Sequence, residues 1–433
     1  MVDYNSIIFW CDIAIAIAYG VMLLFFWYYL VYFFLCFKRP KKYKKADKYT
    51  RFCIIIPARD ESKVIKGIIR SLENQTYPKD FFDVYIVVES KSDKTVQIVK
   101  DTRFNIVIRK KLSGRRRKGF AIEDCLTYLK DVNRYDLYDS FMIFDADNRL
   151  DYNYIEKMND LRMSGGYEVG FGYRNFLNAT KNYVTINSAI QLAMLNGVFS
   201  KGRSMLFDKI MLNGTGYFID KGVIEGAGGW IFNGLTEDVE LTTYCTYHNV
   251  KMGYYEEAQY YDEEPETHKV MHRQHIRWVW GYLQSKKRFK QKGVDHLAKK
   301  RWIRNLAIFE YNFLLWPVIV YIVLAILSFL VMFALFLSSL YFNKSMTIFI
   351  LLHSLIPLAS IYVLGFIGTA GVLITNRKHF NFTFLQNMLG LFTFSFWFFD
   401  FIFAFFDGLI HRNKRNKWSK IPHKGNITNI KLK

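Results

Sequence analysis

The stretch FMIFDADN, residues 141–148, joins a short apolar run to two aspartates. The run FMIF is typical of a buried β-strand, and Asp145 and Asp147 stand on either side of one small residue as that strand ends. Side chains at positions i and i+2 of an extended chain point to the same side. Two carboxylates this close repel each other unless a cation lies between them. The stretch therefore predicts either a strand that ends in a cation site or a solvated turn.

Three further apolar runs precede this stretch, and a helical pattern follows each of them. RFCIIIP (51–57), VYIVV (84–88) and NIVI (105–108) are predicted strands, and the helical patterns cover 64–72, 91–100 and 118–130. Strands that alternate with helices predict βαβ units and a parallel sheet that is covered on both faces. Ligands of such sheets bind at the carboxyl ends of the strands. Polar side chains collect at those ends, namely Arg59, Glu61, Glu89, Asp145 and Asp147.

This placement favours a metal–diphosphate site over a solvated turn. Carboxylates bind hard ions such as Mg²⁺ together with the phosphate oxygens of a substrate. Lys118, in RRRKG, and Arg277 can balance further phosphate charge, although a solvated basic loop is the alternative for Lys118. No GxGxxG follows the first strand and no GKS/T loop occurs, which disfavours a dinucleotide site or a P-loop NTPase.

Two motifs in the second half of the soluble segment carry further candidate residues. In LTEDVE (235–240) Thr236 is a predicted N-cap, and capping needs only one acid, so Glu237 and Asp238 are not both explained by it. Asp238 is a candidate general base toward a hydroxyl group. In LNGTGYFI (212–219) the glycine before and after Thr215 would allow close backbone approach to a ligand, and a plain turn is the alternative.

RQHIRWVWG, residues 273–281, is predicted as an amphipathic helix. At 100° per residue, Ile276 and Trp280 fall on an apolar stripe, and Gln274, Arg277 and Trp278 fall on the other side. An indole among Gln and Arg indicates a ligand platform. The alternative is a tryptophan that folds over a neighbouring surface.

Composition predicts an anchor, a soluble domain and a membrane bundle. The chain is 51% apolar and 18% aromatic, and the apolar residues concentrate in 7–37 and 306–410. Runs beyond about 20 apolar residues indicate membrane spans. The first run lacks a basic n-region and a cleavage site, so an uncleaved anchor is expected. The predicted divisions are an anchor at 1–37, a soluble domain at 38–270, amphipathic interfacial helices at 271–305, transmembrane helices at 306–410 and a basic tail at 411–433.

The net charge of +21 lies in clusters, and all but the one at 109–118 flank the apolar regions. Positive-inside topology and anionic lipids explain this arrangement better than nucleic acid does, and no nucleic-acid-binding motif is present. The soluble domain is therefore predicted on the cytoplasmic side of the cell membrane, in a multi-pass protein with membrane lipids as partners. Five scattered cysteines without CxxC spacing fit a reducing compartment.

Taken in chain order, the motifs resemble those of a known family. IPARDE, VVESKSD, RKGFA, FDADN, NGTG, LTED and QHIRW match the family 2 glycosyltransferases, in particular the membrane-embedded branch with cellulose, hyaluronan, chitin and poly-N-acetylglucosamine synthases. The resemblance implies a GT-A fold, that is, an α/β Rossmann-like cytoplasmic domain, with transmembrane helices and amphipathic interface helices.

The implied activity is inverting transfer from a nucleotide-sugar donor such as UDP-glucose or UDP-N-acetylglucosamine. The expected acceptor is a growing polysaccharide that crosses the membrane. Alternatives are transfer of a single sugar to a membrane lipid and, more remotely, a transporter or a basic membrane-tethered binding protein.

The resemblance also implies roles for individual residues. Catalytic residues would be Asp238 and Glu237, and Asp147 would hold Mg²⁺ or Mn²⁺. The donor would be bound by Ala58, Arg59, Glu61, Glu89, Lys118, Asp145, Gln274 and Arg277. The acceptor would be bound by Gly214, Thr215 and Trp278.

Overall fold

The structure is a computed structural model that describes residues 4–110, 113–291, 306–313, 316–342, 347–397 and 399–411. The strands are β1 Phe52–Pro57, β2 Phe82–Val88, β3 Asn105–Ile108, β4 Ser140–Ile143, β5 Arg149–Leu150, β6 Val169–Phe176, β7 Tyr217–Asp220 and β8 Met252–Asp262. The helices up to β8 are α1 Tyr4–Cys36, α2 Ile65–Glu73, α3 Lys94–Lys100, α4 Lys118–Asp131, α5 Tyr154–Met163, α6 Tyr183–Met194, α7 Arg203–Phe207, α8 Lys221–Gly226 and α9 Glu237–Tyr247. After β8 come α10 His268–Gln291, α11 Leu306–Phe313, α12 Trp316–Phe342, α13 Thr347–Thr375, α14 Phe384–Trp397 and α15 Phe399–Ile410. Residues 292–305 of the predicted interfacial segment and 412–433 of the predicted tail lie outside the described residues.

The eight strands form one sheet in the order β3-β2-β1-β4-β7-β6-β8-β5. In the first half β1 runs parallel to β2 and to β4, and β2 runs parallel to β3. Helix α2 buries Ile65, Ile68, Ile69 and Leu72 against this half, at the spacing of an amphipathic helix. The predicted parallel sheet is confirmed for these four strands.

The second half of the sheet is mixed, so the prediction of a parallel sheet is wrong there. Strand β7 is antiparallel to both β4 and β6, whereas β6 and β8 are parallel. The cause is the connection between β6 and β7. It is a helical excursion that leaves and rejoins the sheet at the same end, which forces the two strands to run in opposite directions.

That helical excursion, Tyr183–Phe207, was not predicted, and it joins the soluble domain to the apolar helices. It consists of α6, a π-helical stretch Leu195–Gly202 and α7. A Cβ on Gly202 would lie 2.9 Å from Cβ of Tyr32, so a small residue is needed where α1 crosses. The Lys201 ammonium donates to the Cys36 carbonyl oxygen at 3.2 Å and pairs with Glu256 at 2.9 Å. The C-terminal end of α1 is therefore fixed to the soluble domain.

Two stretches of the described helices are long and apolar enough to cross a membrane. They are Ile322–Leu340 and Phe384–Ile410, whereas the apolar parts Asn5–Val21 and Tyr362–Thr375 are shorter. The N-terminal anchor stays a prediction.

Helix α10 packs along the last apolar helix, α15. Asp400 of α15 accepts hydrogen bonds from ring nitrogens of His272, at 2.7 Å, and of His275. The ring of Trp280 stacks on Phe405 with centroids 5.6 Å apart. The apolar stripe predicted for residues 273–281 therefore faces a helix that could cross a membrane.

Candidate active site

The segment LTEDVE begins α9, which packs against α10. Thr236 occupies the N-cap position as predicted, but its side chain makes no capping hydrogen bond. A Cβ on Gly281 of α10 would overlap the Thr236 side chain, which explains a glycine on the polar side of that helix. Glu240 accepts from the Gly234 N–H at 2.9 Å and from Arg288 of α10 at 2.9 Å. These contacts fix the two helices against each other.

Lys118 connects four of the sequence motifs. It begins α4, and its ammonium nitrogen lies 2.6 Å from Asp145 Oδ1 and 3.4 Å from Glu237 Oε1. It also donates to the carbonyl oxygen of Gly214 at 2.6 Å. Burial alone would lower the pKa of Lys118, but the two carboxylates hold it above its usual value. A fixed positive charge therefore lies where FDADN, NGTG and LTED meet.

Thr215 holds the loop after β4 in place. Its hydroxyl accepts from the Asp145 N–H at 2.8 Å and donates to Asn148 Oδ1 at 2.5 Å. Its carbonyl oxygen accepts from the Tyr260 hydroxyl at 2.7 Å. Thr215 is fully buried, so its hydroxyl acts inside the loop. The predicted acceptor contact of Thr215 stays a prediction.

Gly214, next to Thr215, lies between the candidate base and an arginine. Its φ of +88° lies in the left-handed region, which favours glycine. A Cβ at this position would have Arg174 Nη1 and Asp238 Oδ2 each at 3.9 Å. The candidate base Asp238 and Arg174 thus both lie beside Gly214.

Asp147 lies close to the carboxylates of Asp262 and Asp145. Burial, followed by the neighbouring carboxylates of Asp262 and Asp145, holds the pKa of Asp147 well above its usual value. Its side chain shares a hydrogen bond with that of Asp262. A cation between such groups would remove their mutual repulsion.

Within the described ranges, no group of three or more His, Cys, Asp or Glu side chains is arranged to hold a metal ion by itself. An ion at Asp147 would therefore take other ligands from elsewhere. Mg²⁺ and similar ions do so when they bridge a carboxylate and substrate phosphates. The carboxylates at Asp147 therefore suit an ion that also binds substrate phosphates, and they do not form a closed structural metal site.

The loop after β1 meets the end of β2 in the parallel half of the sheet. Glu89 pairs with Arg59 at 3.3 Å and with Arg109 at 3.6 Å. Glu61 lies close enough to Asp147 to raise the pKa of that carboxyl. The predicted donor residues Arg59 and Glu89 thus form an ion pair. Glu61, from the same loop as Arg59, lies near Asp147.

Ala58 and Asp93 fix the backbone of this loop. The Ala58 N–H donates to the Val87 carbonyl oxygen at 2.8 Å. One carboxylate oxygen of Asp93 accepts from the Asp60 N–H at 2.9 Å, and the other accepts from the Thr95 N–H at the start of α3. Asp60 is held in a left-handed conformation, with φ of +57°. The backbone conformation of the predicted donor loop is therefore set before a ligand arrives.

Both acids of LTED are buried and have raised pKa values. Burial raises the pKa of Glu237 to about 7, against the lowering effect of Lys118. Burial also raises the pKa of Asp238, against the Val239 backbone, Lys118 and Arg277. A raised pKa makes a carboxylate a better proton acceptor near neutral pH.

The polar face of α10 turns toward this group of charges. Arg277 lies close enough to lower the pKa values of Asp238 and Glu264. Gln274 is buried, and its Oε1 has no hydrogen-bond partner in the structure. Trp278 is half-buried, and its ring centroid lies 5.3 Å from that of His275. Ile276 and Trp280 thus pack against α15 as predicted, Arg277 lies near the charged groups, and the ligand contact of Trp278 stays a prediction.

Sequence analysis missed Arg174, Asp262 and Glu264. The Arg174 guanidinium pairs with Asp262, lies 3.6 Å from Glu264 and donates to the Asn213 carbonyl oxygen at 2.6 Å. The acidic run DEE, directly after the strand-like residues 252–261, could have predicted Asp262 and Glu264 as site residues. It has the same form as Asp145 and Asp147 after their strand.

Comparison with known proteins gives consistent matches. A family described as glycosyltransferase-like family 2 matches residues 50–281. The probable glycosyltransferase YdaM of Bacillus subtilis is 26% identical over 286 residues, which are 64% of this chain and 65% of that protein. A beta-monoglucosyldiacylglycerol synthase of Synechocystis sp. is 24% identical over 240 residues, which are 54% of this chain and 48% of that protein. The matches thus span less than two thirds of either relative.

Among solved structures, the fold is similar to that of the mannosyltransferase PcManGT from Pyrobaculum calidifontis, determined in complex with GDP-Man and Mn²⁺. The TM-score is 0.52 at 14% identity, over 92% of this chain and 99% of that one. At this identity the similarity concerns the fold alone.

Proposed function

The chain belongs to glycosyltransferase-like family 2, and we propose that it moves one sugar from a nucleotide-activated donor to a lipid acceptor at the membrane. It is a hexosyltransferase with a GT-A-like fold. The observation that carries the lipid acceptor is the contact of α10 with α15. Trp278 and Arg277 lie on a helix whose opposite face packs on Phe399–Ile410, part of a stretch that could cross a membrane. An acceptor held at Trp278 would therefore arrive from the membrane side.

The relatives support this alternative better than the expected polysaccharide product. The Synechocystis relative is named for synthesis of monoglucosyldiacylglycerol, a lipid that carries one sugar. By that similarity we take UDP-glucose as the first donor to test and UDP-N-acetylglucosamine as the second. We also propose that the chain is a multi-pass protein of the cell membrane with its catalytic domain in the cytoplasm, as the basic flanking clusters favour.

In the proposed reaction the acceptor hydroxyl attacks the anomeric carbon of the donor, and the nucleoside diphosphate leaves from the opposite side. Asp238 takes the proton of the attacking hydroxyl. Lys118 and Arg277 balance the negative charge that develops on the leaving group. A divalent ion bound at Asp147 would supply further positive charge to the same group. Because these charges are already in place, the site needs little reorganisation as the reaction proceeds.

The remaining site residues position the substrates. Arg59, Glu61 and Glu89 line the nucleoside end, and Gln274 and Arg277 face the diphosphate. Gly214 leaves space for the acceptor beside Asp238. We assign Thr215 to holding the Asp145 loop, since its hydroxyl is already used there. Glu237 keeps Lys118 in place.

The proposed function is tested with the purified full-length chain in lipid nanodiscs. The chain is incubated with labelled UDP-glucose, UDP-N-acetylglucosamine and GDP-mannose, with vesicles that contain dioleoylglycerol or its monoglucosyl derivative. Mass spectrometry of the lipid extract is expected to show the addition of one hexose unit. A product of high molecular mass that stays out of the lipid extract would instead support the polysaccharide reading.

Trp278 should matter for transfer more than for donor hydrolysis. Aromatic stacking on a ligand contributes about 1–3 kcal/mol, so Trp278→Ala is expected to lower transfer by roughly tenfold to a hundredfold. Hydrolysis of the donor by water should change little, because water needs no platform. The measurement is the ratio of transfer to donor hydrolysis.

Trp280→Ala is the matched control on the same helix. Trp280 is 9% exposed and stacks on Phe405, so its loss leaves a cavity between α10 and α15. It should lower the melting temperature and leave the transfer-to-hydrolysis ratio near that of the wild type. If Trp280→Ala shows the selective loss of transfer instead, the two faces of α10 have been assigned the wrong way round.

A further inference from the structure

Glu264 is held rigidly by a side chain outside its own strand. It follows the end of β8, where the Asn178 side chain binds both of its backbone polar groups. The Glu264 N–H donates to Asn178 Oδ1 at 3.1 Å, and the Glu264 carbonyl oxygen accepts from Asn178 Nδ2 at 2.8 Å. Asn178 is itself buried, and Pro265 restricts the backbone that follows. The backbone at Glu264 is therefore fixed by the fold.

The carboxylate of Glu264 is buried, and only one of its two oxygens lies near a cationic group. The residue is 6% exposed, and its Oε1 lies 3.6 Å from Arg174 Nη2. Its Oε2 is buried and has no hydrogen-bond partner among the residues that the structure describes. Arg174 already pairs with Asp262, so Glu264 is not needed to neutralise that guanidinium. A buried carboxylate oxygen without a donor is costly, and in native proteins such a group calls for a ligand or water.

The location of Glu264 places it at the acceptor end of the site. The nucleoside end, with Arg59 and Glu89, follows β1 and β2, whereas Glu264 follows β8 in the other half of the sheet. Arg174 lies next to Glu264, and it also lies as close to Gly214 as Asp238 does. Glu264 therefore lies near the region where the acceptor hydroxyl would meet its base, with only Arg174 between them.

We propose that Glu264 binds a second hydroxyl group of the acceptor, adjacent to the hydroxyl that Asp238 deprotonates. This assignment rests on the proposed function. A hydroxyl has one hydrogen, so the reacting hydroxyl cannot donate to Asp238 and to Glu264 at once. The acceptor class is therefore a lipid whose head group carries neighbouring hydroxyls, such as a glycosylated diacylglycerol. Diacylglycerol itself has a single free hydroxyl and leaves Glu264 without a donor.

Burial also raises the pKa of Glu264, with Arg174 and Arg277 acting against it. The two arginines offset part of the cost of a negative charge at this position. A hydrogen bond from a neutral hydroxyl would stabilise it further, since bonds to charged groups are the stronger ones.

The test compares Glu264→Gln with Glu266→Gln, in nanodiscs and with saturating donor. Glu266 lies on the same segment but forms an ion pair with Lys181, whose side chain is about half exposed. The acceptors are dioleoylglycerol and monoglucosyl-dioleoylglycerol. Wild type is expected to prefer the glucosylated lipid. Glu264→Gln should lower kcat/KM for that lipid by roughly tenfold to a hundredfold, with little change for dioleoylglycerol, and Glu266→Gln should match wild type on both.

Two further readouts separate the outcomes. Donor KM and donor hydrolysis should be unchanged in Glu264→Gln. A rise in donor KM would show that Glu264 binds the donor sugar, and it would overturn the assignment. Equal rates for wild type and Glu264→Gln on both lipids would also overturn it. Wild type that transfers to neither lipid would overturn the proposed function itself. Glu264→Asp, which keeps the charge but withdraws the oxygen by one methylene, should show the same selective loss if Glu264→Gln fails to fold.

Discussion

Asp238→Asn is expected to lower the rate of sugar transfer by about a thousandfold while the donor still binds. A positioned general base contributes typically 10²–10⁴-fold, and asparagine cannot accept the proton. The substitution keeps the size of the side chain and its place beside Gly214. Donor affinity, measured by calorimetry with the nucleotide sugar, should stay within about twofold. Loss of donor affinity in proportion to the rate would move Asp238 into the donor pocket.

Glu240→Gln is the matched control for Asp238→Asn. Glu240 lies on the same helix and is also buried, but its carboxylate binds the Gly234 N–H and Arg288. The variant should lower the melting temperature and keep the rate per folded molecule. The two variants thus separate a carboxylate that acts on the acceptor from one that holds α9 against α10.

The pH dependence of the rate gives an independent check on Asp238. Burial raises the pKa of this carboxyl. A base must be ionised to act, so the rate should fall as the pH drops through that raised pKa. The acid limb of the kcat profile should therefore lie above the usual range of an aspartate, and the residual activity of Asp238→Asn should lack it.

Local sequence patterns predicted those site residues that directly follow a recognisable strand or begin a recognisable helix. Asp145 and Asp147 follow β4, and Lys118 begins α4 directly after a loop, so their places could be derived from short segments. The two faces of α10 could also be predicted locally, because the 3.6-residue helical period alone places Trp278 and Trp280 on different sides of the helix.

The second half of the sheet could not be derived in this way. Its strands pair in the order β7-β6-β8, which depends on a helical excursion whose endpoints no local pattern fixes. Arg174 and Glu264 come together only because β6 and β8 are neighbours in that order. Thr215 was predicted as a ligand contact because its flanking glycines suggested close approach. The structure shows its hydroxyl bound to the Asp145 backbone, a contact between segments 70 residues apart.

Asp147→Asn is expected to abolish activity and, in the absence of metal, to make the protein more stable. Asp147 is the proposed metal ligand, and it lies against the carboxylates of Asp262 and Asp145. Asparagine can still hydrogen-bond to Asp262, and it removes the like charge that Asp147 would carry among these buried acids whenever it is ionised. Removal of such a charge commonly stabilises a protein at the expense of its activity. The metal-free variant should therefore melt at a higher temperature than metal-free wild type.

Metal titration decides whether this loss of activity has the proposed cause. Addition of Mn²⁺ with the nucleoside diphosphate should raise the melting temperature of wild type, because a ligand that binds only the folded state stabilises it. The same addition should leave Asp147→Asn almost unchanged. Asp160→Asn is a control: its carboxylate lies outside the site and binds the Ala46 N–H, so its response to Mn²⁺ should equal that of wild type. Full activity of wild type in EDTA, or an Mn²⁺ response that survives in Asp147→Asn, would exclude a metal at this position. Either result would leave Lys118 and Arg277 as the charges that balance the leaving diphosphate.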